Sequence, residues 1–295
     1  MSINFKGVIP PMITPFTAAG DVDYGKFEKN MNKWNDSALC GYLVLGSNSE
    51  TAYLTEAEKL KLVELTKKTA KKDRIIIAGT GMETDTETIA LTNKAADLGV
   101  EAALILTPCY YGSAMSAPAL INYFTKVAEG SKIPIMLYNV PKFTHVNIPD
   151  AALKTLANHP NIIGMKDSTG DIGQLVRFQG LTVDADFQIL VGTASAWYPA
   201  LTLGVKAGIF ALANSNPNEL AKIQELFEKG AQGEAVDLFR KMFVLNTAVT
   251  ATYGIPGLKY AASLLGYEGG YVRCPLLELS EDKKEELKEI FREYI

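Results

Sequence analysis

A lysine that follows a short apolar run is the residue of this chain with the clearest chemical potential. Lys166 ends residues 162–166, in which apolar side chains and one glycine predict a short buried strand. A buried ammonium group is costly unless it is paired or loses its proton. A neutral lysine amine is a nucleophile that forms Schiff bases with carbonyl compounds. Most lysines in such positions are solvated or ion-paired, so the interpretation of Lys166 depends on its surroundings.

Other polar residues follow similar apolar runs. Ser47 and Asn48 lie in the small-residue segment 46–50, which could bring backbone N–H groups and a hydroxyl to a carboxylate. A plain tight turn is the alternative there. Tyr138 ends another run and could relay protons if its hydroxyl met a second hydroxyl and a substrate. Tyr110 and Tyr111 follow a fourth run, and packing is the alternative to chemistry for them.

The elements that position these residues repeat along the chain. Apolar runs recur at intervals of about 25 to 35 residues with helical patterns between them, and most are continuously apolar, as in parallel strands covered on both faces. Eight are present: 8–13, 42–45, 75–78, 103–106, 133–138, 162–166, 188–191 and 208–212. The sequence contains neither a GxGxxG nor a P-loop pattern, so its glycines do not favour a doubly wound sheet. We predict an α/β protein: a (β/α)8 TIM barrel over 1–215 and a helical extension over 216–295, with the chemistry at the carboxyl ends of the strands.

Composition excludes several classes of function. The 295 residues carry a net charge of −4, which gives no footprint for nucleic acid or an anionic membrane surface. Three widely spaced cysteines and two histidines predict neither a disulfide framework nor a metal site. A signal-peptide pattern and a run of about eighteen apolar residues are both lacking, so we expect a cytoplasmic protein without a membrane span.

Five ordered motifs identify a resemblance. The motifs are Pro15-Phe16 with Gly20 and Asp23, Gly46-Ser47-Asn48-Ser49-Glu50, Tyr110-Tyr111, Tyr138-Asn139-Val140-Pro141 and Gly164-Met165-Lys166-Asp167-Ser168. With them, the chain resembles the dihydrodipicolinate synthase / N-acetylneuraminate lyase family of pyruvate-dependent class I aldolases from Gly7 to about Leu279.

The resemblance implies a role for each matching residue. Lys166 is expected to form the imine with a 2-keto acid, and Tyr138 to shuttle protons with the Ser47 hydroxyl. Ser47 and Asn48 are expected to hold the pyruvyl carboxylate, and Tyr111 to enter the neighbouring subunit's site. A homotetramer built of dimers is the implied assembly. The covalent imine at Lys166 serves as the electron sink, so no metal or organic cofactor is expected.

Departures from the family motifs guide the choice of substrate. Phe143 stands where the synthases carry an arginine that binds the carboxylate of the aldehyde, and a phenyl ring cannot form that bidentate clamp. We expect Lys142, one position earlier, to point elsewhere. N-acetylneuraminate lyase is a poorer match, because Gly192 leads into Thr193-Ala194-Ser195 instead of a tyrosine and an acidic pair.

The motifs are closest to those of 4-hydroxy-2-oxoglutarate aldolases and their sugar-acid relatives, in which Asn48 and Ser168 would contact the cleaved substrate. Our main interpretation is an aldolase that releases pyruvate from a 4-hydroxy-2-keto acid, 4-hydroxy-2-oxoglutarate-like or a 2-keto-3-deoxy sugar acid. A dihydrodipicolinate (4-hydroxy-tetrahydrodipicolinate) synthase that condenses pyruvate with aspartate semialdehyde is the alternative. An idle barrel that only binds keto acids is the second alternative. Ser49 replaces a glycine common in this turn, and a positive φ there would strain the loop.

Overall fold

Eight parallel strands form one barrel in the computed structural model, which describes residues 3–295. Their bounds are β1 Gly7–Ile9, β2 Gly41–Val44, β3 Ile75–Gly79, β4 Ala102–Leu106, β5 Ile135–Asn139, β6 Ile162–Asp167, β7 Gln188–Val191 and β8 Ala207–Ile209. The strands pair in the order β1-β8-β7-β6-β5-β4-β3-β2, and parallel bridges from Val8 to Leu39 and from Pro11 to Leu43 connect the β1 and β2 segments. The predicted (β/α)8 barrel is confirmed.

The first and last strands are shorter than predicted. β1 ends at Ile9 because Pro10 and Pro11 follow it, and proline has no N–H for a strand ladder. β8 ends at Ile209, and the apolar residues after it form a 3₁₀ turn, Ala211–Asn214. Apolar composition therefore located both strands but did not fix where they end.

Helices follow the strands and surround the barrel. Their bounds in the first part of the chain are α1 Tyr24–Asn35, α2 Glu56–Thr69, α3 Asp85–Asp97, α4 Ala117–Gly130, α5 Pro141–Thr144, α6 Asp150–Leu156, α7 Ile172–Leu181 and α8 Trp197–Thr202. Thr55 and Glu58 form a capping box at the start of α2, and Thr84 caps α3. Ser195 lies inside a 3₁₀ turn, Ala194–Ala196, before α8 begins at Trp197.

The chain after β8 is helical, as expected. It forms α9 Pro217–Glu228, α10 Gln232–Thr247, a π-helical segment Ala248–Thr252, α11 Gly254–Leu264 and α12 Glu281–Phe291. Leu258 and Phe291 belong to the same buried cluster as Trp34 and Phe210 of the barrel. The division at residue 215 stays a prediction.

The barrel interior has its own apolar cluster. Leu43, Ile77, Leu104, Met136 and Leu190 come from five different strands and are all buried within it. Tyr138 belongs to the same cluster, because it follows Met136 by two residues on β5 and so projects to the same side of the strand. The interior packing thus fixes the direction of Tyr138.

No helix among the described residues is long and apolar enough to cross a membrane. Within the same part of the chain, no group of three or more His, Cys, Asp or Glu side chains is placed to hold a metal ion.

Candidate active site

Lys166 and Tyr138 lie side by side at the carboxyl ends of neighbouring strands. They are register partners in the β5–β6 pairing, and the Lys166 Nζ donates a hydrogen bond to the Tyr138 hydroxyl at 3.3 Å. The ammonium also lies 4.3 Å from the centre of the tyrosine ring. Lys166 is 3% exposed and Tyr138 5% exposed. Among the described residues no carboxylate forms an ion pair with Lys166, and its buried Nζ is directed at the Tyr138 hydroxyl instead.

The Ser47 hydroxyl completes a chain of three polar groups. It lies 3.5 Å from the Tyr138 hydroxyl, which is thus shared between Ser47 and Lys166. Burial would raise the pKa of Tyr138, but the positive charge of Lys166 and the hydrogen bonds outweigh burial and lower that pKa from its usual value near 10. A tyrosine with a lowered pKa gives and takes protons more readily near neutral pH.

The turn that carries Ser47 is a single 3₁₀ turn, Ser47–Ser49, after β2. Positive φ angles occur at Leu45 (62°) and Glu50 (55°), and Ser49 is not among the residues with positive φ. The Ser49 hydroxyl donates to the Met12 carbonyl at 2.5 Å. Ser49 therefore fits the turn without the strain that a positive φ would cause, and its hydroxyl ties the turn to the segment after β1.

A buried ion pair anchors the end of this turn. The Lys259 Nζ of α11 lies 2.6 Å from the Glu50 Oε1, and both side chains are at most 2% exposed. The second Glu50 oxygen accepts a hydrogen bond from the Arg273 backbone N–H at 2.9 Å. The helical extension thereby holds the turn that presents Ser47 and Asn48.

Replacing Lys259 with methionine should destabilise the protein by about 3–5 kcal/mol, because it leaves the Glu50 carboxylate buried and unpaired. Guanidinium unfolding followed by circular dichroism measures this loss. Lys6→Met is the matched control, because Lys6 pairs with Glu228 at 3.0 Å on the surface, where a pair contributes at most about 1 kcal/mol. Equal effects of the two substitutions would contradict the anchoring role of Lys259.

Ser168 lies beside the lysine with its hydroxyl unused. Its Oγ is buried and has no partner in hydrogen-bonding geometry within the described part of the chain, but it lies close enough to the Tyr138 hydroxyl to help lower the pKa of Tyr138. A Cβ on Gly192 would lie 1.9 Å from that oxygen and 3.0 Å from the Lys166 Cε. The missing side chain of Gly192 therefore gives Ser168 and Lys166 their room, and the Ser168 hydroxyl is free to bind a substrate oxygen.

Gly192→Ala should lower kcat/KM at least about a hundredfold, because Lys166 or Ser168 has to shift by about an ångström to make room for the methyl group. Steady-state kinetics measure the change. Gly233→Ala in α10 is the control, since nothing lies within 4 Å of its Cβ position. A Gly192→Ala enzyme with wild-type kinetics would show that this close packing has no part in the site.

These groups open into one cavity of about 730 Å³ at the carboxyl end of the barrel. Ser47, Asn48, Tyr138, Lys166 and Ser168 all line it, so the structure brings together five of the six residues predicted to form the site. The wall opposite the barrel comes from the π-helical segment Ala248–Thr252 and the start of α11.

Tyr111 is the predicted residue that lies elsewhere. It is 71% exposed and is not among the residues that line the cavity, and its ring packs edge-on against Tyr110. The single chain therefore does not bring Tyr111 to Lys166.

The short helix α5 brings Lys142 and Phe143 to the cavity. Phe143 is 52% exposed at its edge. Lys142 also lines the cavity, and its Nζ donates to the Thr250 carbonyl of the π-helical segment at 2.8 Å. The expectation that Lys142 points elsewhere is wrong, because the α5 turn directs it across the cavity towards the helical extension.

Asp167 is held by amide and hydroxyl groups. It accepts hydrogen bonds from Asn139 at 2.8 Å and from the Thr169 hydroxyl at 2.7 Å, and Gln174 adds longer ones. Its side chain is 3% exposed. These bonds fix the end of β6 just after the lysine.

Two lining residues, Thr193 and Ser195, and the buried Asn246 that bonds to them were not predicted as site residues. Thr193 and Ser195 follow β7, and both accept hydrogen bonds from the Asn246 amide of α10. Thr193 and Ser195 sit just past a predicted strand, a position that could have marked them. Asn246 lies in a helix about fifty residues later, and no pattern in the sequence connects it to β7.

Comparison with known proteins agrees with this geometry. Residues 4–294 match the model of the dihydrodipicolinate synthetase family. The chain is 34% identical over 292 residues to a 4-hydroxy-tetrahydrodipicolinate synthase of Methanospirillum hungatei, covering 98% of this chain and 99% of the relative. It is 35% identical over 289 residues to the enzyme of that name from Thermodesulfovibrio yellowstonii, covering 98% of each chain.

Solved structures give the same result. A dihydrodipicolinate synthase from Bacillus anthracis superimposes with a TM-score of 0.93 at 29% identity, over 98% of each chain. A chloride-inhibited dihydrodipicolinate synthase from Acinetobacter baumannii, complexed with pyruvate, also has a TM-score of 0.93, at 27% identity, over 99% of this chain and 100% of the other.

The structure combines a (β/α)8 barrel with a buried lysine–tyrosine pair at the carboxyl ends of its strands. The chain belongs to the dihydrodipicolinate synthetase family. The predicted enzyme class, a pyruvate-dependent class I aldolase, is confirmed by this membership.

Proposed function

We propose that Lys166 forms a Schiff base with pyruvate and that the chain joins pyruvate to an aldehyde, or splits the product, through the enamine. The observation that supports this most strongly is the buried chain from the Lys166 Nζ through the Tyr138 hydroxyl to the Ser47 hydroxyl, with steps of 3.3 and 3.5 Å. The resemblance to the family and its pyruvate-bound structure give the proposal independent support.

The bonds change in a fixed order. The neutral amine adds to the keto carbon, and the resulting carbinolamine loses water after its hydroxyl takes a proton, which Tyr138 supplies. The protonated imine then draws electrons from C3, which loses its proton to the Tyr138 oxygen to give the enamine. In the synthetic direction, the enamine carbon attacks the aldehyde and the new oxyanion takes that proton back from the Tyr138 hydroxyl. Water finally hydrolyses the imine and frees Lys166. The imine is the electron sink, so the proposal needs no metal or organic cofactor.

Two candidates remain for the second substrate. The comparisons favour the alternative, 4-hydroxy-tetrahydrodipicolinate synthase, over our main interpretation, because the relatives at 31–35% identity carry that name. We therefore place condensation with aspartate semialdehyde first. The second candidate is cleavage of a 4-hydroxy-2-keto acid, which the phenyl ring of Phe143 favours, since it stands where the synthases place the arginine.

A parallel assay separates the two candidates. The purified enzyme is given pyruvate with aspartate semialdehyde, and the pyruvate that remains is measured with lactate dehydrogenase after the reaction is stopped. In a separate assay it is given 4-hydroxy-2-oxoglutarate, and pyruvate release is followed by coupled lactate dehydrogenase. A kcat/KM at least about tenfold higher in one assay assigns the function. Lys166→Ala is the blank for both assays. Binding of pyruvate without turnover of either compound would establish the idle barrel and overturn both candidates.

We also propose that Tyr111 serves the site of a neighbouring subunit, in a homotetramer built of dimers. Its 71% exposure and its position outside the cavity of its own chain support this. Sedimentation velocity gives the mass of the assembly directly, and a monomer with full activity would contradict the proposal.

The three unpaired cysteines support a reducing, cytoplasmic location.

A further inference from the structure

Two hydroxyl groups beside the imine-forming site share one buried amide. The Asn246 Nδ2 donates to the Thr193 Oγ1 at 3.2 Å and to the Ser195 Oγ at 2.8 Å. Asn246 is 1% exposed, so its amide is held in place from α10. Both hydroxyl-bearing residues line the cavity, and Thr193 directly follows Gly192, which lies against Lys166.

The direction of these hydrogen bonds decides what the hydroxyls can bind. Each hydroxyl oxygen accepts a proton from Asn246, and Thr193 also accepts from the Ser195 backbone N–H at 3.4 Å. A hydroxyl that accepts still has its own proton to donate. The Thr193 and Ser195 protons are therefore available to an acceptor oxygen in the cavity.

The charges around the cavity favour an anionic acceptor. Lys142 and Lys166 are the ionic side chains among the described residues that line it, and no aspartate or glutamate is among them. Lys166 is engaged by the keto carbon of the substrate. The Lys142 ammonium uses one of its three protons on the Thr250 carbonyl and keeps two for a ligand.

We propose that the Thr193 and Ser195 hydroxyls, oriented by Asn246 and supported by the charge of Lys142, bind a second carboxylate at the end of the substrate distant from the imine. The proposal rests on imine formation at Lys166. The two hydroxyls would take the place of the arginine that Phe143 replaces as the site for this carboxylate. The same site could bind a condensation product of aspartate semialdehyde or 4-hydroxy-2-oxoglutarate, since both carry a second carboxylate. Hydrogen bonds to a charged acceptor are about twice as strong as neutral ones, so the pair should discriminate strongly between carboxylate and methyl ends.

Two five-carbon keto acids test the subsite without requiring turnover. 2-Oxoglutarate ends in a carboxylate and 2-oxopentanoate ends in a methyl group, and both can form an imine at Lys166. The concentration that half-saturates borohydride trapping is measured by intact mass for each acid and for pyruvate. The wild type should be half-saturated by 2-oxoglutarate at a concentration at least about tenfold below that for 2-oxopentanoate. Thr193→Val with Ser195→Ala should reduce this preference to about twofold or less.

Controls distinguish failure of the subsite from failure of the imine. Thr182→Val with Ser131→Ala deletes the same two hydroxyls outside the cavity lining and should keep the wild-type preference. If pyruvate traps the wild-type enzyme but the two longer acids trap it equally well or not at all, the subsite alone is overturned. A preference retained in the double variant at positions 193 and 195 also overturns it. Wild-type enzyme not trapped by pyruvate overturns the imine itself and the subsite with it.

Discussion

Lys166→Ala abolishes both the trapping of pyruvate by borohydride and turnover, to below about one part in ten thousand of the wild-type rate. The reason is chemical: alanine has no amine, and no other group in the cavity can form an imine except Lys142, which is exposed and bound to the Thr250 carbonyl. A nucleophile that forms a covalent intermediate has no substitute when it is removed. Intact-mass spectrometry after borohydride treatment, together with the coupled assay, measures both effects.

Lys59 provides the matched control for this substitution. It is another largely buried lysine, 9% exposed on α2, and burial lowers its pKa, but it lies outside the cavity lining. Lys59→Ala should keep pyruvate trapping within about twofold of the wild type. If Lys59→Ala lost the trapped mass and Lys166→Ala kept it, the nucleophile would be assigned to the wrong lysine.

Tyr138→Phe should lower kcat by about a hundredfold to ten-thousandfold, the range for loss of a positioned proton-transfer group. The phenyl ring keeps the packing in the barrel interior but removes the hydroxyl that bonds to both Lys166 and Ser47. Dehydration of the carbinolamine also needs a proton, so the rate of pyruvate trapping should fall together with kcat.

Tyr123→Phe is the control for loss of a buried tyrosine hydroxyl. Its hydroxyl bonds to Thr88 and to the Met82 carbonyl, and the residue lies outside the cavity lining. This variant should lose stability and keep kcat within about twofold. A Tyr138→Phe enzyme with kcat near the wild-type value would exclude proton transfer through Tyr138.

The eight-stranded barrel and the position of the site at the carboxyl ends of its strands could be predicted from the sequence. Continuous apolar runs gave eight strands, and the two runs that end at Tyr138 and Lys166 placed both residues at the carboxyl rim, where they are register partners. Burial of an amine beside a tyrosine hydroxyl followed from that single arrangement.

Contacts between distant segments could not be predicted. Asn246 reaches Thr193 and Ser195 from α10, and Lys259 reaches Glu50 from α11, because helical periodicity tells which face is buried but not what it meets. The backbone angle at Ser49 was equally hidden, since the positive φ falls on Glu50 and Leu45 instead. The direction of Lys142 depended on α5, a one-turn helix that no capping signal marked.

The most direct test of the account is the mass of the peptide that contains Lys166. Wild-type enzyme is treated with pyruvate and borohydride, digested, and the modified residue is located by tandem mass spectrometry. We predict that the reduced pyruvyl group is on Lys166 and that it is absent when pyruvate or borohydride is left out. An unmodified Lys166 peptide, with or without the adduct on another lysine, would contradict the central claim.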